Sequence, residues 1–205
     1  AEVLAYRPMV ERYAAQYGIS EYVTVLLAIM QVESGGTPED VMQSSESMGL
    51  PPNSLDAESS IRQGCRYFAE LLAKADRLGS DLDSAIQAYN YGGGFLDYAA
   101  ARGGRYSFQL AQAFAEEKSG GVRVPYKNEI SVAENGGWRY NYGNMFYVRL
   151  VSQYLYAAHF DDAAVQTIMN EALKYQGWAY VYGGASPASS FDCSGLTQWC
   201  FGTVG

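Results

Sequence analysis

The side chain in this sequence best placed to do chemistry is Glu33, in the run Ala28-Ile29-Met30-Gln31-Val32-Glu33-Ser34-Gly35-Gly36. Val23, Leu26, Leu27 and Met30 precede it at i, i+3, i+4 and i+7, one face of an amphipathic helix. Ser20 stands where a cap for that helix belongs, and Gly35-Gly36 ends it. Glu33 is thereby expected in the last turn of an apolar helix. The C-terminal end of the helix dipole disfavours its charge, and apolar neighbours disfavour its ionisation, so both raise its pKa. A carboxylic acid still protonated near neutral pH is what general-acid cleavage of a glycoside requires. A solvated Glu at a helix end fits the same local pattern, so the assignment depends on what surrounds it.

A second reactive group is Cys193, in Phe191-Asp192-Cys193-Ser194-Gly195-Leu196. Tyr180-Val181-Tyr182 reads as a strand before Gly183-Gly184, and Cys193 to Phe201 reads as a helix. The first turn of a helix favours negative charge, which suits a nucleophilic sulfur. Such a nucleophile needs a histidine base, and the single histidine of the chain is His159. It lies ahead of Cys193, in a boundary segment, and reads as structural. Cys65 and Cys200 fall at helix-core spacing and read as small apolar residues. Three cysteines do not make a disulfide framework.

Composition narrows the function classes. A hydrophobic share of 48% against 18% charged residues is that of a core-forming chain. A formal net charge of −8 argues against nucleic-acid binding. The 18 Tyr residues against 8 Phe supply flat faces carrying hydroxyls, suited to sugars, peptides or ordinary packing. Neither a membrane span nor a signal peptide is expected from the sequence. One His and no Cys-x-x-Cys pair argue against a zinc site, and Gly92-Gly93-Gly94 follows a helix rather than a strand, so no phosphate loop is expected. No cofactor is expected.

The elements that must position these groups are mostly helices. Helices are expected over 4–17, 21–34, 56–78, 81–91, 95–101, 107–118, 144–158 and 163–175, with 37–53 a long polar loop and 120–143 irregular. The fold class expected is mainly α: a helical domain over 1–158, a stiff linker at 159–162, and over 163–205 the opening of an α+β domain.

The ordered set Val32-Glu33-Ser34-Gly35-Gly36, Asp40-Val41-Met42-Gln43-Ser44-Ser45-Glu46-Ser47-Met48-Gly49-Leu50, Ser60-Ile61-Arg62-Gln63-Gly64 and Ala88-Tyr89-Asn90-Tyr91-Gly92 resembles the lysozyme-like superfamily of peptidoglycan-cleaving enzymes. Within it the likeness is to cell-wall hydrolases of conjugative elements, of the CwlT type. The resemblance covers roughly 3–156. It implies that Glu33 is the catalytic acid, that Gln43, Ser44 and Ser45 line sugar subsites, and that Tyr89 and Asn90 hold the glycan beside Glu33. The segment from 163 onward resembles the NlpC/P60 endopeptidases, papain-like cysteine peptidases that cut stem peptides. That likeness implies that Cys193 is the nucleophile and that Tyr180 and Asp192 contact the free amino end of the stem peptide. In that family the His and the third residue follow the Cys helix on strands of a sheet. The chain stops before such strands, so no peptidase activity is expected of it as given, and 163–205 is expected to leave apolar surface uncovered.

The partners implied are glycan strands and stem peptides, with a conjugation or secretion apparatus in addition. The location implied is extracellular, in the cell wall. A second carboxylate decides the glycan chemistry, and Asp40, Glu46 and Asp97 are the candidates. Hydrolysis as an N-acetylmuramidase is the leading expectation, with the substrate's own acetamido group assisting if no second carboxylate is near. A lytic transglycosylase, with Glu33 as acid and then base, is the alternative enzyme. A non-catalytic peptidoglycan-binding or assembly factor is the alternative of another class.

Overall fold

The computed structural model describes residues 2–37, 39–155, 163–175 and 178–205. The chain divides into two compact units, Ala1–Leu155 and Tyr156–Gly205. The linker expected at 159–162, and His159 with it, lies outside the described residues.

The first unit begins with α1 (Glu2–Ala5) and α2 (Arg7–Gln16). A 3₁₀ turn over Ser20–Tyr22 leads into α3 (Val23–Glu33). Ser20 belongs to that turn and does not cap α3, which starts from Tyr22 with no side-chain cap. α3 is also more than amphipathic. Val25, Ala28 and Ile29 are buried along with Val23, Leu26, Leu27 and Met30, so the helix is covered over more than one face, with Thr24 left exposed. α4 (Ala57–Leu78) and α5 (Leu82–Tyr91) follow, capped by Asp56 and Asp81, whose side chains accept from the Ser59 and Ser84 amides. Then come α6 (Gly94–Ala100) and α7 (Phe108–Ser119), the latter capped by Ser107.

The stretch over 120–143, expected to be irregular, holds short regular elements. β1 (Arg123–Pro125) pairs antiparallel with β2 (Trp138–Tyr140), and α8 (Glu129–Asn135) lies between them with a reciprocal Asn128–Ser131 capping box. Strands of three residues show no alternating pattern for a sequence reading to find. α9 (Tyr147–Leu155) closes the described part of the unit. α3 packs against α2 and α9, and α4 packs on α2 and α5.

Gly64 in α4 answers a demand for space. A Cβ there would lie 2.7 Å from Met42 Sδ and 2.9 Å from the Tyr89 hydroxyl. The long loop before α4 and the end of α5 therefore meet over a bare patch of backbone.

In the second unit, α10 (Ala163–Leu173) is joined to α11 (Cys193–Gly202) through Glu171, whose Oε1 accepts from Tyr175 Oη at 2.5 Å and Trp199 Nε1 at 2.9 Å. Between them β3 (Ala185–Ser186) pairs antiparallel with β4 (Ser190–Phe191). Tyr180 forms a single parallel bridge to Phe191 rather than a full strand. Trp178, Tyr182 and Phe201 are exposed. Among the described residues no helix is long and apolar enough to cross a membrane.

Candidate active site

Glu33 ends α3 and lines a cleft of about 360 Å³. The other walls are Gln43, Glu46, Ser47, Tyr67, Tyr89, Asn90, Tyr91 and Gly92. The Tyr147 hydroxyl, from the first turn of α9, donates to Glu33 Oε1 at 2.6 Å. The Glu33 carboxyl is raised to about 7: burial leads in pushing it up, the Tyr147 hydrogen bond opposes this, and the charges of Asp40 and Glu46 add to the rise. Tyr147 is thus the partner that orients this carboxyl. Sequence patterning missed it, because its position on α9 reads as core.

Removing that hydroxyl while keeping the ring should raise the Glu33 pKa further. In Tyr147→Phe the alkaline limb of the pH–rate profile is expected to move to higher pH, with a lower maximal rate from lost positioning. An unshifted limb in the variant would exclude this role for Tyr147.

The loop before α4 is built on a buried carboxylate. Asp40, 1% exposed, accepts from the Ser44 amide (2.8 Å) and the Ser60 hydroxyl (2.7 Å) at Oδ1, and from the Ser45 amide (3.2 Å) at Oδ2. Burial raises its pKa, but the hydrogen bonds from Ser45, Ser60 and Ser44 outweigh that and hold it low. Glu39, Asp40 and Gln43 all have positive φ, an unfavourable conformation for residues with a Cβ, and this knot over-determines it. Ser44 and Ser45, expected to line sugar subsites, are 1% and 0% exposed. Their short hydroxyls face inward: Ser44 Oγ donates to Ser60 O, and Ser45 Oγ accepts from the Ser54 amide. They support the loop and do not form part of the cleft wall.

Gln43, Tyr89 and Asn90 do meet Glu33 in the cleft. Gln43 Nε2 donates to Asp40 O and Asn53 Oδ1, and its side-chain oxygen meets no hydrogen-bond partner among the described residues. Asn90 Oδ1 accepts from the Asn144 amide, which leaves its NH₂. The Tyr89 hydroxyl is committed to Met42 O at 2.8 Å, and its ring lies 5.4 Å from that of Tyr67. Tyr67, also overlooked in the sequence, contributes a second aromatic wall. Asp97 is absent from the cleft wall and pairs with Lys74 at 2.6 Å.

In the second unit Cys193 is the first residue of α11 and is exposed. It shares a depression of about 160 Å³ with Tyr180 and Asp192. The Asp192 carboxylate caps α11, accepting from the Gly195 and Gly183 amides and the Ser194 hydroxyl, and the Gly195 bond leads in holding its pKa low. Tyr180 stands 66% exposed at the rim. A Cβ at Gly195 would lie 2.1 Å from Gly184 O, so only glycine lets the helix approach this loop. Cys65 is unsuited to nucleophilic chemistry, since burial pushes its thiol up to about 12.

A helical unit with a half-buried carboxylic acid at the mouth of a polar, tyrosine-lined cleft is the arrangement of a lysozyme-like domain. The family model described as Lysozyme-like matches residues 1–155, and the chain belongs to that family. It is 39% identical over 212 residues to the bifunctional muramidase/DL-endopeptidase CwlT of Bacillus subtilis (strain 168), covering all of this chain and 59% of that protein. The chain thus spans about three-fifths of that relative's length. It is 32% identical to pneumococcal vaccine antigen A of Streptococcus pneumoniae, covering 76% of this chain and 80% of that one. A crystal structure from Staphylococcus aureus, described as similar to a lipoprotein of the NLP/P60 family, superposes with a TM-score of 0.75 at 62% identity, over 100% of this chain and 70% of that one.

Proposed function

We propose that this chain is a peptidoglycan hydrolase whose first unit cleaves the glycosidic bond between N-acetylmuramic acid and N-acetylglucosamine, with Glu33 as general acid. The observation that carries the reading is the Glu33 carboxyl, held by Tyr147 in the cleft and titrating at about 7. At neutral pH a large fraction is protonated and able to donate to a leaving oxygen. Gln43 offers an acceptor and Asn90 a donor, the complementary pair that an acetamido group needs. The rings of Tyr67 and Tyr89 offer apolar faces to pyranose rings. The Bacillus relative is named a muramidase, which supports the same bond.

For the second unit the reading is a stem-peptide endopeptidase site with Cys193 as nucleophile and Tyr180 and Asp192 at the amino end of the peptide. It is inactive in the chain as given, whose only histidine is His159. The partners are glycan strands and stem peptides at the extracellular cell wall. A role in wall penetration during conjugation is part of the same reading.

Mass spectrometry of a peptidoglycan digest tests this. The expected products end in reducing N-acetylmuramic acid, with no new peptide amino termini. A 1,6-anhydro end would identify a lytic transglycosylase instead, and new amino termini would show an active peptidase. Binding without cleavage would identify a non-catalytic wall-binding factor.

A further inference from the structure

The bond from Tyr147 to Glu33 depends on where α9 begins, and one residue fixes that start. Asn144 lies just ahead of α9, and its amide, its main-chain oxygen and both polar atoms of its side chain are all engaged. Its Oδ1 accepts from the Phe146 amide at 2.9 Å, and its main-chain oxygen accepts from the Tyr147 amide at 3.0 Å. These two bonds set the backbone that leads into α9, as a helix cap does. Its Nδ2 donates to the Tyr126 hydroxyl at 2.9 Å. Its main-chain oxygen also accepts from Nε2 of the fully buried Gln87 at 3.0 Å, and its amide donates to Asn90 Oδ1 at 2.7 Å. The end of α5 and the start of α9 are thereby held at one point, beside the cleft that Asn90 lines.

The approach is tight. A Cβ at Gly143 would lie 2.7 Å from Asn90 Oδ1 and 2.7 Å from the Tyr91 ring, so a bare backbone there is what lets the Asn144 amide reach Asn90. From Asn144 the path to the cleft carboxyl is short: the start of α9, then the Tyr147 hydroxyl, then Glu33 Oε1 at 2.6 Å. Asn144 itself does not line the cleft.

We propose that Asn144 is a positioning residue for glycan cleavage: its side chain sets the start of α9 so that the Tyr147 hydroxyl stays on Glu33. This rests on the reading of Glu33 as the general acid. Apart from Tyr147, the titratable groups around Glu33 are Asp40 and Glu46 from the loop before α4, Tyr67 from α4, and Tyr89 and Tyr91 from α5. The Asn144 side chain bonds to Tyr126 and Phe146 and to none of these, and no Lys or Arg lines the cleft. A change in the Glu33 titration on replacing Asn144 therefore reports on Tyr147.

The test compares the full chain with Asn144→Ala, Asn144→Ser, Tyr147→Phe and the double variant Asn144→Ala/Tyr147→Phe. It reads the Glu33 titration by NMR of the carboxyl carbons, and kcat and KM on soluble peptidoglycan. Asn144→Ala should move the Glu33 titration to higher pH, as Tyr147→Phe does, and lower kcat about 5–100-fold. KM should stay within about threefold, because the main-chain groups that hold Gln87 and Asn90 remain. Added to Tyr147→Phe, Asn144→Ala should move the titration no further. Asn144→Ser keeps a cap acceptor and should restore most of the titration and of kcat. Should Asn144→Ala not fold, Asn144→Gly loses the same side-chain bonds at a smaller cost in stability and carries the same comparison. An unmoved titration in the folded variant, a further shift in the double variant, an Asn144→Ser as impaired as Asn144→Ala, or a raised KM at unchanged kcat would each overturn the role of Asn144 and leave the muramidase reading standing. No cleavage by the parent, or a 1,6-anhydro product, with the Glu33 titration still moved by Asn144→Ala, would overturn the muramidase reading alone.

Discussion

Replacing Glu33 by Gln is expected to slow glycan cleavage by about 10²–10⁴-fold while making the protein more stable at alkaline pH. The two effects have one origin. An ordinary Glu titrates at 4.5, and burial of Glu33 raises it to about 7. The native state therefore holds a proton that the unfolded chain has already released, and stability falls as pH rises between those values. Above the native pKa the difference is on the order of 3 kcal/mol, and Gln does not incur it. Thermal melts of the parent and Glu33→Gln should coincide near pH 4 and separate toward pH 8, with the variant higher. The parent's activity should fall as pH rises through about 7, because the acid loses its proton. An offset in melting temperature independent of pH, or a variant with undiminished activity, would remove Glu33 from the chemistry.

Asp40→Ala is expected to lower stability by about 3 kcal/mol, since each buried donor left without its acceptor costs about 1–3 kcal/mol. It leaves the amides of Ser44 and Ser45 and the Ser60 hydroxyl without their acceptor, and it releases a loop that carries four non-glycine residues at positive φ, Glu39, Asp40, Gln43 and Asn53. The native Asp40 pKa lies below the usual 3.8. Its contribution is therefore complete above that value and is lost as pH falls through the lower native one. Urea unfolding should show the full difference at pH 7 and a shrinking one toward pH 3. Activity should fall with it, since Gln43 and Glu46 ride on the same loop. A loss under about 1 kcal/mol at pH 7 would mean that the knot is not what holds the loop.

What the sequence disclosed depended on how local the determinants were. Asp56, Asp81 and Ser107, read as the first residues of the helices 56–78, 81–91 and 107–118, each cap a helix that begins one residue later. Glu33 was legible because the apolar run and the Gly pair lie within its own segment. Ser20 misled because a 3₁₀ turn intervened. Ser44 and Ser45 could not be placed, because whether a hydroxyl faces a ligand or a buried carboxylate is decided by Asp40 and by Ser60, on another element. Ser60-Ile61-Arg62-Gln63-Gly64 showed only as a motif. Its physical content is a hydroxyl for Asp40, an amide for Ser47 and a bare backbone for Met42.

Tyr147 reaches Glu33 across 114 residues of chain. Closing so long a loop carries an entropic cost that no neighbouring contact offsets until α3 and α9 have docked. The Glu33 carboxyl is therefore oriented only by the completed domain. Any fragment ending short of α9, and any intermediate in which α9 is undocked, retains the Glu33 segment but lacks the hydroxyl that orients it. Competence should thus appear as a property of cooperative folding, returning on refolding no earlier than the slowest step that seats α9.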